Sequence, residues 1–166
     1  MRLLKSKQTP AKIPYSFQDR FQNIQRIAIV YPQKVTWLRI ARYALQRMYN
    51  LPERFEYMLL VPDSESEKPL DIQYHYFDLN YDPKAEERLQ IKSSILAFSP
   101  DILLQLEPQP GDRFMKLINQ LDISLKIGFG DEKSDLNVIY SQSESGFYEK
   151  NVLNLIALLE KSKEVI

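Results

Sequence analysis

The chain has 166 residues, with 22 basic and 22 acidic side chains and a formal charge of zero. At 44% apolar and 27% charged it has the composition of a globular domain long enough to bury a core without disulfides, and its neutrality argues against wholesale nucleic-acid binding. Zero Cys, one His and four Gly, none before Gly111, exclude a thiolate nucleophile, a Cys-based metal site, a two-histidine metal motif, and an N-terminal Walker A loop or dinucleotide fingerprint.

Residues 1–14 carry Arg2, Lys5, Lys7 and Lys12 with no acid before Asp19, and read as an extended basic leader. Tyr15 to Gln25 spaces Phe17, Phe21 and Ile24 as a short amphipathic helix does. Residues 1–23 are thus a leader with a short helix, and residues 24–166 a single domain. No apolar run approaches the roughly 20 residues of a membrane span. The leader also lacks the apolar stretch of a secretory signal, so the expected location is cytoplasmic.

Arg26 to Tyr31 is an apolar, β-branched run closed by Pro32, and predicts a buried strand. Val35 to Tyr49 predicts a helix, with Trp37, Leu38, Ala41, Ala44, Leu45 and Met48 on one arc and Arg39, Arg42 and Gln46 on the solvent arc. Phe55 to Val61 and Ile72 to Leu79 predict two more strands, separated by an acidic loop. The lone histidine, His75, falls in the second of these and reads as a strand residue rather than a catalytic base.

Asp82-Pro83 reads as a helix start, with a capping carboxylate and proline at the first helical position, and Ser99-Pro100 ends that helix. Asp101 to Glu107 predicts a strand, Asp112 to Leu121 a short helix, and Ile123 to Phe129 and Leu136 to Ser141 the last strands. The closing helix spans about 147–162, with Val152, Leu155, Ile156 and Leu159 as its apolar stripe. This alternation predicts one three-layer, Rossmann-like α/β domain with a mostly parallel sheet.

Ligands of such sheets bind beyond the carboxyl ends of the strands. Three loops meet that description: Tyr31 to Lys34, Glu107 to Arg113, and Gly128 to Asp131. The candidate ligand-binding residues are Gln33, Lys34, Glu107, Asp112, Arg113, Gly128 and Gly130. Lys34 lies beside a helix start and could attract an anion. Glu107 and Asp112 could do paired acid–base work, but the preferred reading makes Asp112 a helix cap and Glu107 a strand-end surface charge. No cofactor and no metal are expected.

The order of elements resembles the N-terminal, acceptor-side domain of the heptosyltransferase family, over about residues 24–162. The resemblance rests on Arg26-Ile27-Ala28-Ile29-Val30-Tyr31, on Ser99-Pro100-Asp101-Ile102-Leu103-Leu104-Gln105-Leu106, and on Lys126-Ile127-Gly128-Phe129. The chain is also similar to an uncharacterised bacterial domain family of about this length. The heptosyltransferase resemblance implies half of a two-Rossmann glycosyltransferase architecture. The family carries a Gly-Asp pair after its first strand, whose Asp acts as base; here that loop reads Tyr31-Pro32-Gln33-Lys34-Val35-Thr36-Trp37. The family's acidic strand residue corresponds to Gln105, and its nucleotide-sugar domain has no counterpart before Ile166. The expectation is a non-catalytic module that self-associates or works through a protein partner or small ligand. The alternatives are a sugar-phosphate or nucleotide binder or enzyme using strand-end residues, and an adaptor docking through the basic arm.

Overall fold

Ile27, Ile29 and Tyr31 point to one side of the first strand and Ala28 and Val30 to the other, and each is fully buried. A strand buried on both faces belongs in the middle of a covered parallel sheet. The computed structural model, which describes residues 23–49, 55–61, 74–78, 83–130, 134–140 and 147–163, places it there. The leader, most of the short helix expected after it, Asp82 and the acidic loop lie outside the described residues.

The elements are β1 (Arg26–Val30), α1 (Val35–Tyr49), β2 (Glu56–Val61), β3 (Tyr74–Asp78), α2 (Ala85–Phe98), β4 (Ile102–Gln105), α3 (Asp112–Asn119), β5 (Leu125–Phe129), β6 (Val138–Tyr140) and α4 (Phe147–Lys163). All strand pairs are parallel, in the order β3-β2-β1-β4-β5-β6. The chain moves outward from β1 to β3, then returns to place β4 on the other side of β1. With crossovers of constant hand, that reversal sends helices to opposite faces. The two cores show it: α1 and α4 cover Ile27, Ile29, Leu59, Leu104 and Ile127, whereas α2 and α3 cover Ala28, Val30, Met58, Leu60 and Leu103. The architecture is three-layer, α/β and Rossmann-like. Among the described residues, no helix is long and apolar enough to cross a membrane.

The stripe Val152, Leu155, Ile156 and Leu159 is at most 2% exposed. Burying each such side chain is worth about 1.5–3 kcal/mol, which fixes α4 against the sheet beside α1. Arg47 of α1 clamps the pair, its Nη2 lying 3.0–3.1 Å from both oxygens of Glu160. Arg42, expected on the solvent arc of α1, is half-buried instead.

The start of α2 also departs from expectation. Lys84, in extended conformation, is the residue before the helix, and its N–H donates to Glu87 Oε2 at 3.0 Å, so the carboxylate that caps comes from inside the first turn. The end matches: Ser99 adopts φ 52°, and its N–H donates to the Ile95 carbonyl.

Lys126, only 4% exposed, holds β5 to the end of α3. Its ammonium donates to the Leu121 carbonyl at 3.0 Å and to Asp135 Oδ2 at 2.6 Å, with the Ile118 carbonyl at 3.5 Å. A buried cation belongs there, where free carbonyls concentrate negative potential. Leu136, just before β6, is buried in the α2–α3 core.

Candidate functional site

The order of strands reverses between β1 and β4, and in sheets of this kind the crevice beyond their carboxyl ends is where a ligand binds. The two loops that flank it leave from Tyr31 and Leu106, and both are held close to the sheet. Tyr31 N–H donates to the Leu60 carbonyl, and Leu106 N–H to the Val30 carbonyl.

Glu107 joins them. Its Oε2 accepts from the Gln33 N–H at 2.7 Å, across 74 residues of sequence, and its Oε1 accepts from the Gln109 N–H at 2.8 Å. The residue is 3% exposed, so the expectation of a surface charge fails: the loop from β1 folds over it and supplies a backbone donor. Burial raises the carboxyl pKa above its ordinary value, and the two amide donors lower it by less. Gln105, fully buried beneath, fixes the Glu107 backbone: its Nε2 donates to the Glu107 carbonyl at 3.1 Å.

An aromatic ladder closes the crevice on the α1–α4 side. Tyr148 stacks on Phe129 with centroids 5.0 Å apart, and Trp37 lies 5.6 Å from Tyr148. The Tyr148 hydroxyl donates to the Leu106 carbonyl at 2.8 Å. Burial, and secondarily the Glu107 charge, push the Tyr148 phenol well above its ordinary range, so it remains a donor. Lys34 accepts the first helical hydrogen bond of α1 through its carbonyl, and its Nζ lies 4.9 Å over the Trp37 ring, a cation–π contact.

The carboxylate therefore stands where a bound phosphate is held in ligand-binding sheets of this topology: beside the first helix N-terminus, on a backbone amide of the first loop. The anion position at the switch point is occupied by the chain's own side chain. A second carboxylate staples the same two strands at their other ends. Asp101 Oδ2 accepts from the N–H groups of Gln25 and Arg26 at 2.8 and 2.9 Å.

The remaining candidates are dispersed. Asp112 is the first helical residue of α3 and Gly111 holds the capping position, which corrects the expectation that Asp112 is the cap. Asp112 and Gly130 line an open cavity of about 490 Å³ between the Pro108–Pro110 loop, α3 and the β5–β6 link, to which Lys116, Asn119 and Ser134 add polar groups. Arg113 lines a different groove, between α2 and α3. Gly128 lies inside the sheet opposite Gln105, where a Cβ would overlap the Gln105 carbonyl oxygen and come within 2.6 Å of its Cβ; the close approach of β4 and β5 accounts for this glycine. His75 lies on β3, as expected.

Glu107, Gln33 and the loop from β1 thus meet, while Asp112 and Gly130 form a separate site. The ladder of Trp37, Phe129 and Tyr148 and the buried Gln105 were not anticipated as parts of the switch-point site. Tyr148 had a signal, following Phe147 as the second of two aromatics at the head of the closing helix. Among the described residues no cluster of three or more His, Asp or Glu could hold a metal. No protein-family model, curated protein or solved structure matches the chain.

Proposed function

We propose that this domain is a non-catalytic Rossmann-like module, related to the acceptor-side half of heptosyltransferases, that works through a protein partner or a small ligand rather than by turnover. One observation carries the reading: Glu107 holds the Gln33 and Gln109 amides that would otherwise face an anionic ligand at the switch point. A phosphate entering there would meet a buried carboxylate, and like charges in a poorly solvated crevice repel by several kcal/mol. The loop after β1 also offers neither a glycine for close backbone approach nor a carboxylate to act as base. Docking of a partner is supported by apolar side chains left open on the surface, Val35 at 69% and Tyr43 at 56% exposure on α1 among them.

The test is direct. Purified protein incubated with nucleotide-sugar donors and a sugar acceptor is expected to transfer no glycosyl group. Turnover above background that disappears in the Glu107→Gln variant overturns the proposal. Sedimentation at high concentration is expected to show self-association, or a partner to co-purify; a monodisperse, partnerless monomer counts against docking.

A second reading has its own observation, the cavity of about 490 Å³ lined by Asp112, Lys116, Asn119 and Ser134. Its size suits a small molecule, and these polar groups converge from two segments, α3 and the β5–β6 link. On this reading Asp112→Asn abolishes stabilisation by the bound metabolite in a thermal-shift screen while the unliganded melting temperature stays unchanged.

A further inference from the structure

On the sheet face away from the aromatic ladder, α2 and α3 pack side by side and leave a groove of about 460 Å³ between them. Arg88 and Lys92 enter it from α2, and Arg113 and Lys116 from α3. Their spacings, four residues on one helix and three on the other, put each pair on one helical face. Leu117 lies buried in the groove and Leu89 stands 66% exposed at its rim. Among the described residues that line it none is acidic, although the whole chain has as many acids as bases.

On these two helices the Glu87 carboxylate accepts from the Lys84 N–H, and Asp112 lines the neighbouring cavity, which Lys116 borders as well. Arg88 is positioned by its own bond, Nη1 donating to the Pro83 carbonyl at 3.2 Å. The first turns of α2, from Ala85 to Lys92, line the groove and add the positive end of that helix's dipole. A concave, single-signed surface with low-dielectric walls concentrates counter-ions far better than scattered surface charges do.

We propose that this groove binds a small compound carrying several phosphate charges, a polyphosphate or a phosphate ester. The four cations hold the phosphates, and the Leu89 rim accepts whatever apolar part the compound has. The volume fits: small-molecule sites are commonly about 300–1,000 Å³. Neutrality of the chain as a whole, and confinement of the cations to a groove, favour a compact anion over a nucleic-acid strand.

Calorimetric titration of the intact protein with tripolyphosphate at low salt tests this. Saturable binding is expected, weakening as salt is added. Lys92→Gln and Arg113→Gln are each expected to raise Kd about tenfold, the equivalent of one lost charge-assisted contact. Arg39→Gln, a cation exposed on α1 on the opposite face, is expected to leave Kd unchanged. Unfolding curves of each variant show that the fold persists. A nucleoside triphosphate run in parallel separates the sources: equal affinity assigns recognition to the phosphates, and tighter binding assigns the rest to the rim.

The proposal is overturned by no binding at millimolar tripolyphosphate, by equal weakening in Arg39→Gln, or by loss of binding in Lys34→Gln with the groove variants unaffected. Tighter binding of a single-stranded oligonucleotide than of tripolyphosphate also overturns it. Because Glu107, Gln33 and Tyr148 do not line the groove, none of these outcomes bears on whether the domain turns over a substrate at the switch point.

Discussion

Replacing Glu107 by glutamine keeps the shape and removes the charge, and the structure sets the sign of the result at each pH. Burial raises the carboxyl pKa above 4.5, and the donors from Gln33 and Gln109 offset only part of that. A carboxyl whose folded pKa exceeds its unfolded value holds its proton more tightly in the native state. Its contribution to stability is therefore full below the unfolded value of 4.5 and is lost as pH rises through the folded value. Each unit separating the two is worth about 1.4 kcal/mol. Glutamine does not titrate, but its NH₂ faces one of the two backbone donors and forfeits a hydrogen bond worth about 1 kcal/mol that a protonated acid can still accept. The variant is expected to be about 1 kcal/mol less stable than the parent at pH 4, with the gap closing or reversing by pH 7. Urea unfolding, followed by the fluorescence of Trp37, the single tryptophan, measures both proteins at pH 4, 5.5 and 7. A deficit that grows toward pH 7 refutes the reasoning, because it means that the ionised form is the better held.

Gly128→Ala drives a methyl group into the Gln105 carbonyl at the centre of the sheet and is expected to cost about 3 kcal/mol or to prevent folding, read as a lowered urea midpoint. Lys126→Met leaves the Leu121 carbonyl without its donor while freeing exposed Asp135 to hydrate, for an expected loss of about 1–3 kcal/mol. That loss should persist in high salt, since the pair is buried on the lysine side. Tyr148, its phenol pushed up by burial, should stay un-ionised in an absorbance titration at pH 11, where exposed tyrosines have lost their protons. The Tyr148→Phe variant should then show the same amplitude as the parent until the protein unfolds.

Local punctuation made most of the fold legible. Pro32 before α1, and Ser99-Pro100 after α2, mark boundaries through backbone sterics alone, and the alternation in β1 reports two covered faces through side-chain periodicity. The start of α2 was misplaced because Asp82-Pro83 and Lys84 with Glu87 are both acceptable entries, and the choice between them is made by tertiary placement. Glu107 was misread for a deeper reason. A carboxylate at the end of a strand is ordinarily solvated, and nothing within its own segment says otherwise. Its burial is decided by the Gln33 amide, 74 residues away, and by Tyr148, whose hydroxyl bonds the carbonyl of the residue before it. The same holds for the basic groove: Arg88 and Lys92 look like a solvated helix face until α3 is laid beside them with Arg113 and Lys116.

The return of α4 to lie beside α1 governs when the chain can become native. Strands β4 and β5 are translated long before α4, yet half of what shields them from water arrives only with Tyr148 and the residues after it. Contacts so distant in sequence form slowly, and a ribosome-bound chain that has emerged only as far as β5 presents an oily, unroofed sheet to its surroundings. Nascent chains halted before residue 147 should accordingly recruit chaperones and clump, whereas those released after residue 163 should fold.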